Sequence, residues 1–264
     1  MRNRIALCAL AIAAIMGVAG SATAKTSLII ATEGAYPPYN FVAADGSLQG
    51  FDVDMAKELC KKIDADCTIV KQDWDGMIPG LLAKKYDVIV ASMGILPERE
   101  KKVDFTIPYY QAPTALIAAK SADVKVGADG YPDGDSLAGK KIGVQRASGY
   151  ETYARKTWPK ADIVIYDTPS SANLDLTNGR LDARFDDYIL LKDGILKSDT
   201  AGDFAVVGKI YTETAMGSKG EGIAVRKGEA ALRESLNKAI LAMRADGTYK
   251  TINDKYFDID LYGK

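Results

Sequence analysis

The run Asp87-Val-Ile-Val-Ala-Ser-Met-Gly-Ile-Leu-Pro-Glu-Arg99 divides into three pieces. Val88-Ile-Val90 reads as a short buried strand. An open turn follows, carrying the Ser92 hydroxyl and the bare backbone of Gly94. A helix then starts, and it holds Arg99. This arrangement suits capture of a small carboxylate. Backbone N–H groups and a hydroxyl sit at the strand's end, and a guanidinium reaches in with two parallel bonds.

Outward from this run, short β-rich segments alternate with helical patterns, which makes the chain α/β. Leu28-Ile-Ile-Ala31, Thr68-Ile-Val70, Lys141-Ile-Gly-Val144 and Ile163-Val-Ile-Tyr166 read as strands, and so does Leu181-Asp-Ala-Arg-Phe185. Residues 52–63 form an amphipathic helix with Met55, Ala56, Leu59 and Ile63 on one face, and 75–83 form a shorter one. The last strong helix covers 230–243, with Gly247 beyond it as a stop. A polar, glycine-rich surface loop spans 121–139.

Two pairs of segments echo one another. Leu82-Ala-Lys-Lys-Tyr-Asp-Val-Ile89 resembles Leu176-Thr-Asn-Gly-Arg-Leu-Asp-Ala183, and Leu28-Ile-Ile-Ala-Thr-Glu-Gly-Ala-Tyr36 resembles Lys141-Ile-Gly-Val-Gln-Arg-Ala-Ser-Gly-Tyr150. The order is the same in both halves, as in two lobes built on one plan. Ligands in open α/β sheets lie beyond the carboxyl ends of the strands. That rule singles out Glu33, Tyr36, Trp74, Ser92, Gly94, Arg99, Ser148 and Asp187.

Arg2 and Arg4, an apolar run over 5–19 and Ala22-Thr-Ala24 compose an export signal cleaved after residue 24. The apolar run is too short to span a membrane, and Cys8 leaves with it. The mature chain keeps 32 basic residues (34 less Arg2 and Arg4) against 35 acidic, a net charge of −3. That balance argues against a nucleic-acid partner. Cys60 and Cys67, an even pair in an exported protein, read as a disulfide whose short loop contributes about 2–3 kcal/mol. The sequence has no histidine. Ser-His-Asp and Cys-His catalysis are therefore excluded, and two cysteines alone make a poor metal site. No glycine-rich phosphate loop is present, so neither a metal nor a cofactor is expected.

At the strand-end residues the chain resembles an extracytoplasmic solute-binding protein of the polar amino acid uptake family, the lysine/arginine/ornithine- and histidine-binding type. The motifs are Ala31-Thr-Glu-Gly-Ala-Tyr-Pro-Pro-Tyr39, Gly50-Phe-Asp-Val-Asp-Met-Ala-Lys-Glu-Leu-Cys60, Trp74-Asp-Gly-Met-Ile-Pro79, Ala91-Ser-Met-Gly-Ile-Leu-Pro-Glu-Arg99, Lys140-Lys-Ile-Gly-Val144 and Met243-Arg-Ala-Asp-Gly-Thr-Tyr249. They span nearly the whole mature chain in family order. The resemblance implies a monomer with two α/β lobes, 25–111 with 218–264 and 112–217, joined by two crossovers and closing like a hinge on the ligand. It implies a periplasmic component of an ABC importer that docks on a membrane permease. The ligand would be a cationic amino acid (arginine, lysine, ornithine, histidine) or an arginine-derived opine. It also matches the Cys60–Cys67 bridge of the basic amino acid binders. A cyclohexadienyl dehydratase-like lyase and a receptor-linked sensor share the fold and stand as alternatives.

The resemblance also assigns roles. Arg99 clamps the α-carboxylate, with Ser92 and Gly94 holding the ammonium and carboxylate ends. Asp187 binds the α-ammonium from across the cleft, with Asp186 as its rival because strand residues alternate faces. Ser148 and Gly149 offer N–H groups from a helix start. Tyr36 and Trp74 flank the ligand stem, where a cation gains about 1–2 kcal/mol over desolvated rings. Glu33 pairs with the distal positive charge. Ala91 and Gly94 stand where many relatives carry hydroxyls, and Gly94 opens space beside Arg99 for a ligand substituted at its α-nitrogen.

Overall fold

The computed structural model describes residues 25–262, so the leader expected over 1–24, with Cys8, lies outside the described residues. Two five-stranded sheets organise the chain into two lobes. In spatial order the first holds Ala65–Lys71, Thr26–Thr32, Val88–Gly94, Glu221–Arg226 and Val103–Phe105. The second holds Asp162–Tyr166, Lys141–Gln145, Ala183–Asp187, Thr114–Ala119 and Phe204–Val206. In each sheet the first three strands are parallel, and the fourth runs antiparallel to both neighbours. The echo in the sequence has its cause here. Thr26–Thr32 and Lys141–Gln145 occupy the same place in the two sheets, as do Val88–Gly94 and Ala183–Asp187.

The chain passes between the sheets twice, over 106–113 and 207–220. The two passages are tied together. The Glu221 N–H donates to the Tyr110 carbonyl at 3.0 Å, and the Tyr211 N–H donates to the Thr114 carbonyl at 2.8 Å. Two adjacent, hydrogen-bonded connections allow bending about one line and resist independent movement of either strand.

The helix Phe51–Lys62 buries Phe51, Val53, Met55, Ala56, Leu59 and Cys60, the spacing of a single apolar face. Its end is bound to the neighbouring strand by the Cys60–Cys67 disulfide. Its start requires glycine, because Gly50 has φ 121° and an added Cβ would lie 2.3 Å from the Tyr39 carbonyl oxygen. Ala230–Ala245 buries Leu236, Ala239, Ile240 and Met243.

Two sequence expectations change, and one helix is added. The helix expected at 75–83 is a 3₁₀ turn, Trp74–Gly76, followed by Met77–Leu82. Gly247 marks the stop of Ala230–Ala245, as expected. It adopts a left-handed conformation and opens a further helix, Thr248–Tyr256, that the sequence reading left out. The open turn expected at Ser92 and Gly94 is strand, because Gly94 and Met93 still pair with Glu221 and Gly222. The irregularity there is a bulge. Ser92 has φ 52°, and the register shifts opposite it between Gly222 and Ala224.

Candidate functional site

A cavity of about 50 Å³ lies between the sheets. From the first lobe Glu33, Tyr36, Trp74, Ala91, Ser92, Gly94 and Arg99 line it, and from the second Ser148 and Gly149. The strands bring these residues together by ending at the same edge. Asp187 is not among them.

Arg99 sits on the single-turn helix Pro97–Glu100, which the extended Leu96 introduces. The residue is only 8% exposed. Nη1 donates to the Gly94 carbonyl at 3.0 Å, and Nη2 donates across the cleft to the Ala147 carbonyl at 3.2 Å. The Trp74 ring centroid is 5.3 Å away. Burial pushes the Arg99 pKa down, and the carboxylate of Glu221 is the main opposing influence. The Arg99 bonds to Gly94 and Ala147 go to neutral carbonyls, and a guanidinium's five N–H donors leave it room for an incoming anion. Glu100, the apparent local partner, pairs with Lys219 instead at 2.6 Å.

At the other side, Glu33 follows the strand Thr26–Thr32 and is 3% exposed. Its Oε1 accepts from Gln145 Nε2 of the second lobe at 2.6 Å. Burial pushes its carboxyl up to about 7, and the Gln145 bond works against that rise. A group so poised gains most by meeting a cation.

The Ser92 hydroxyl is already engaged. It donates to Asp52 Oδ2 at 2.8 Å, while the Ser92 N–H donates to the Tyr109 hydroxyl at 3.0 Å. Asp52 also accepts from Tyr109 Oη at 2.6 Å and Asn40 Nδ2 at 2.7 Å. Burial nevertheless raises its pKa to about 6. Ser92 thus presents only its oxygen lone pairs to the cavity. Ser148 caps the helix Gly149–Thr157, accepting from the Glu151 N–H at 3.0 Å, and its hydroxyl donates to the Gln145 carbonyl at 2.7 Å.

The expectation that Asp187 faces Arg99 is corrected. Asp187 is fully buried and caps its own helix, with Oδ1 accepting from the Leu190 N–H at 2.8 Å. Its Oδ2 accepts from the Tyr39 hydroxyl at 3.0 Å, a bond between lobes. Desolvation raises its carboxyl to about 8. Asp186 does not face the cavity either. It accepts from Arg184 Nη2 at 2.6 Å and from the Tyr36 hydroxyl at 2.8 Å. Both aspartates therefore latch the lobes rather than line the cleft.

The sequence reading missed Thr114, Gln145, Tyr150 and Glu221, all of which line the cavity. Gln145 ends a parallel strand, so the carboxyl-end rule applied to it as well as to its neighbours. Thr114 and Glu221 begin the antiparallel strands of their sheets. An antiparallel strand brings its first residue, not its last, to the shared edge, and a rule built on carboxyl ends passes over both. Gly94 is also revised. A Cβ on it would lie 3.1 Å from Glu221 Oε2 and 3.6 Å from Arg99 Nη1. The Glu221 carboxylate borders the space that the missing Gly94 side chain leaves.

Comparison with known proteins gives a consistent result. The model of bacterial extracellular solute-binding proteins, family 3, matches residues 28–259. The L-arginine-binding protein of Pseudomonas aeruginosa is 43% identical over 236 residues, 89% of each chain. The histidine-binding periplasmic protein of Escherichia coli K12 is 37% identical over 265 residues, the full length of both. Among solved structures, an arginine-specific periplasmic binding protein of Salmonella typhimurium superposes with a TM-score of 0.77 at 33% identity, covering 88% of this chain and 99% of that one. These relatives are binding proteins rather than enzymes.

Proposed function

The chain belongs to the bacterial extracellular solute-binding proteins of family 3, and from that premise we propose that it binds cationic amino acids, arginine foremost, for an ABC importer. One observation carries the reading: one cavity is lined by a buried arginine, Arg99, and a buried carboxyl, Glu33. A dipolar molecule with a cationic tail satisfies both. Its carboxylate takes two bonds from Arg99, and its tail restores the charge that burial suppresses on Glu33. The arginine and histidine relatives support the class of ligand.

A free amino acid fits better than an opine. Glu221 Oε2, 3.1 Å from where a Gly94 Cβ would stand, narrows the room beside Arg99 for an α-nitrogen substituent. In this reading Trp74 and Tyr36 flank the ligand stem, and Ser148 and Gly149 serve the carboxylate. The lobes comprise 25–111 with 218–264, and 112–217. Residues 1–24 direct export and are removed, and the mature monomer works in the periplasm; the Escherichia coli and Salmonella typhimurium relatives are periplasmic proteins. The closed form then docks on the permease.

A thermal-shift panel of arginine, lysine, ornithine, histidine, octopine and nopaline tests the assignment, since ligand that binds only the folded form raises the melting point. Arginine is expected to give the largest rise. A larger rise with octopine or nopaline, or none with any of the cationic amino acids, rules the assignment out.

A further inference from the structure

We propose that Glu221, rather than Asp187, receives the α-ammonium of the ligand, and that Gly94 is small so that the Glu221 carboxylate can stand beside Arg99. The inference rests on the amino acid reading above. It starts from register. Glu221 opens the strand Glu221–Arg226 and pairs directly with Gly94 on the antiparallel strand Val88–Gly94. Residues directly opposite in an antiparallel pair project from the same face of the sheet. Here that face is the cavity wall, which both residues line.

The missing Cβ fixes the arrangement further. The position it would take lies 3.1 Å from Glu221 Oε2 and 3.6 Å from Arg99 Nη1. A carboxylate and a guanidinium thus flank one bare stretch of backbone. An α-amino acid carries its own carboxylate and ammonium on a single carbon, so its receptor must hold opposite charges side by side. Arg99 and Glu221 do so, and Glu221 is 5% exposed, dry enough for the charge to count. A carboxylate has about four lone-pair sites, so bonds within the protein leave it capacity for an ammonium.

Asp187 lacks this placement. It stands outside the cavity wall, turned toward the Tyr39 hydroxyl and the Leu190 N–H. Glu33 lies in the region of Trp74 and Gln145, bonded to the latter, and serves the tail. The division of labour is one acid per ligand cation.

The test compares L-arginine with 5-guanidinopentanoate, which has the same carboxylate and guanidinium but no α-ammonium. Both are titrated calorimetrically into wild-type protein, Glu221→Gln and Asp187→Asn, with melting curves confirming that each variant folds. The readout is the ratio of the two affinities, which a purely structural disturbance leaves unchanged. Glu221→Gln is expected to lower the arginine affinity about tenfold or more and the analogue less than about threefold. Asp187→Asn is expected to keep the wild-type ratio. Gly94→Ala, which drives a methyl against Glu221 Oε2, is expected to lower the ratio in the same direction as Glu221→Gln. An unchanged ratio in Glu221→Gln, or a ratio that collapses in Asp187→Asn, overturns the proposal. If wild-type protein binds arginine and only the ratios fail, the importer reading survives. If it binds neither compound, both fall.

Discussion

Glu33 and Arg99 are buried charges of opposite sign, and their surroundings prepare them differently. Arg99 donates to two carbonyl oxygens and stands beside the Glu221 carboxylate. Glu33 is held by an amide, and its carboxyl rises to about 7 through burial. A cationic tail favours the ionised form, so binding near neutrality releases a proton. Arginine affinity should therefore increase from about pH 6 to about pH 8 and flatten above, where Glu33 is already ionised before the ligand arrives. Without ligand the sign reverses. A carboxyl whose folded pKa exceeds its unfolded one binds the proton more tightly when folded, so its contribution to stability falls as pH rises through that window. Calorimetry in buffers of different ionisation enthalpy measures the released proton directly. Glu33→Gln should abolish both the release and the slope, and a slope that survives in this variant places the titrating group elsewhere.

Most site residues were legible because they follow parallel strands, where position alone predicts proximity to the cleft. Asp187 obeyed the same rule and still turned aside. The strand Ala183–Asp187 runs straight into a short helix, and its last carboxylate is drawn into capping it. Nothing in the local sequence separates a cap from a ligand contact, because both want an aspartate after a strand.

At the scale of elements, the helix Phe51–Lys62 was legible from its period, and its N-terminus explains the Gly50-Phe-Asp motif. Asp52, in its first turn, gathers Asn40, Ser92 and Tyr109 from three other segments. The bulge at Ser92 is part of that network, since its N–H and hydroxyl reach Tyr109 and Asp52 by turning out of the regular ladder. No propensity signals such a bulge, which is why the sequence suggested a turn. The glycine before the helix is testable. At Gly50 a methyl meets the Tyr39 carbonyl oxygen at 2.3 Å with φ at 121°. Gly50→Ala should lower the unfolding free energy by about 2 kcal/mol or more in denaturant titration. A variant as stable as wild type would show that this turn accommodates a side chain.

Over the whole molecule, the repeated sheet order was visible as two weak sequence echoes, whereas the antiparallel fourth strands were not. Each fourth strand enters from a crossover, far in sequence from its sheet neighbours, so no local pattern announces it. Those same strands carry Thr114 and Glu221 into the cleft and make the hinge part of the site. The lobes meet through Tyr36 with Asp186, Tyr39 with Asp187, Glu33 with Gln145 and Arg99 with the Ala147 carbonyl. Opening exposes these groups to water, and a ligand held by Glu33 and Arg99 replaces the last two contacts.

Calorimetric titration of the mature wild-type protein with L-arginine and with L-citrulline, its uncharged isostere, tests the central claim most directly. A single site per chain is predicted, with arginine bound at least about tenfold more tightly, the loss expected when a buried carboxylate meets a neutral partner. Equal affinities, or tighter binding of citrulline, would contradict the account.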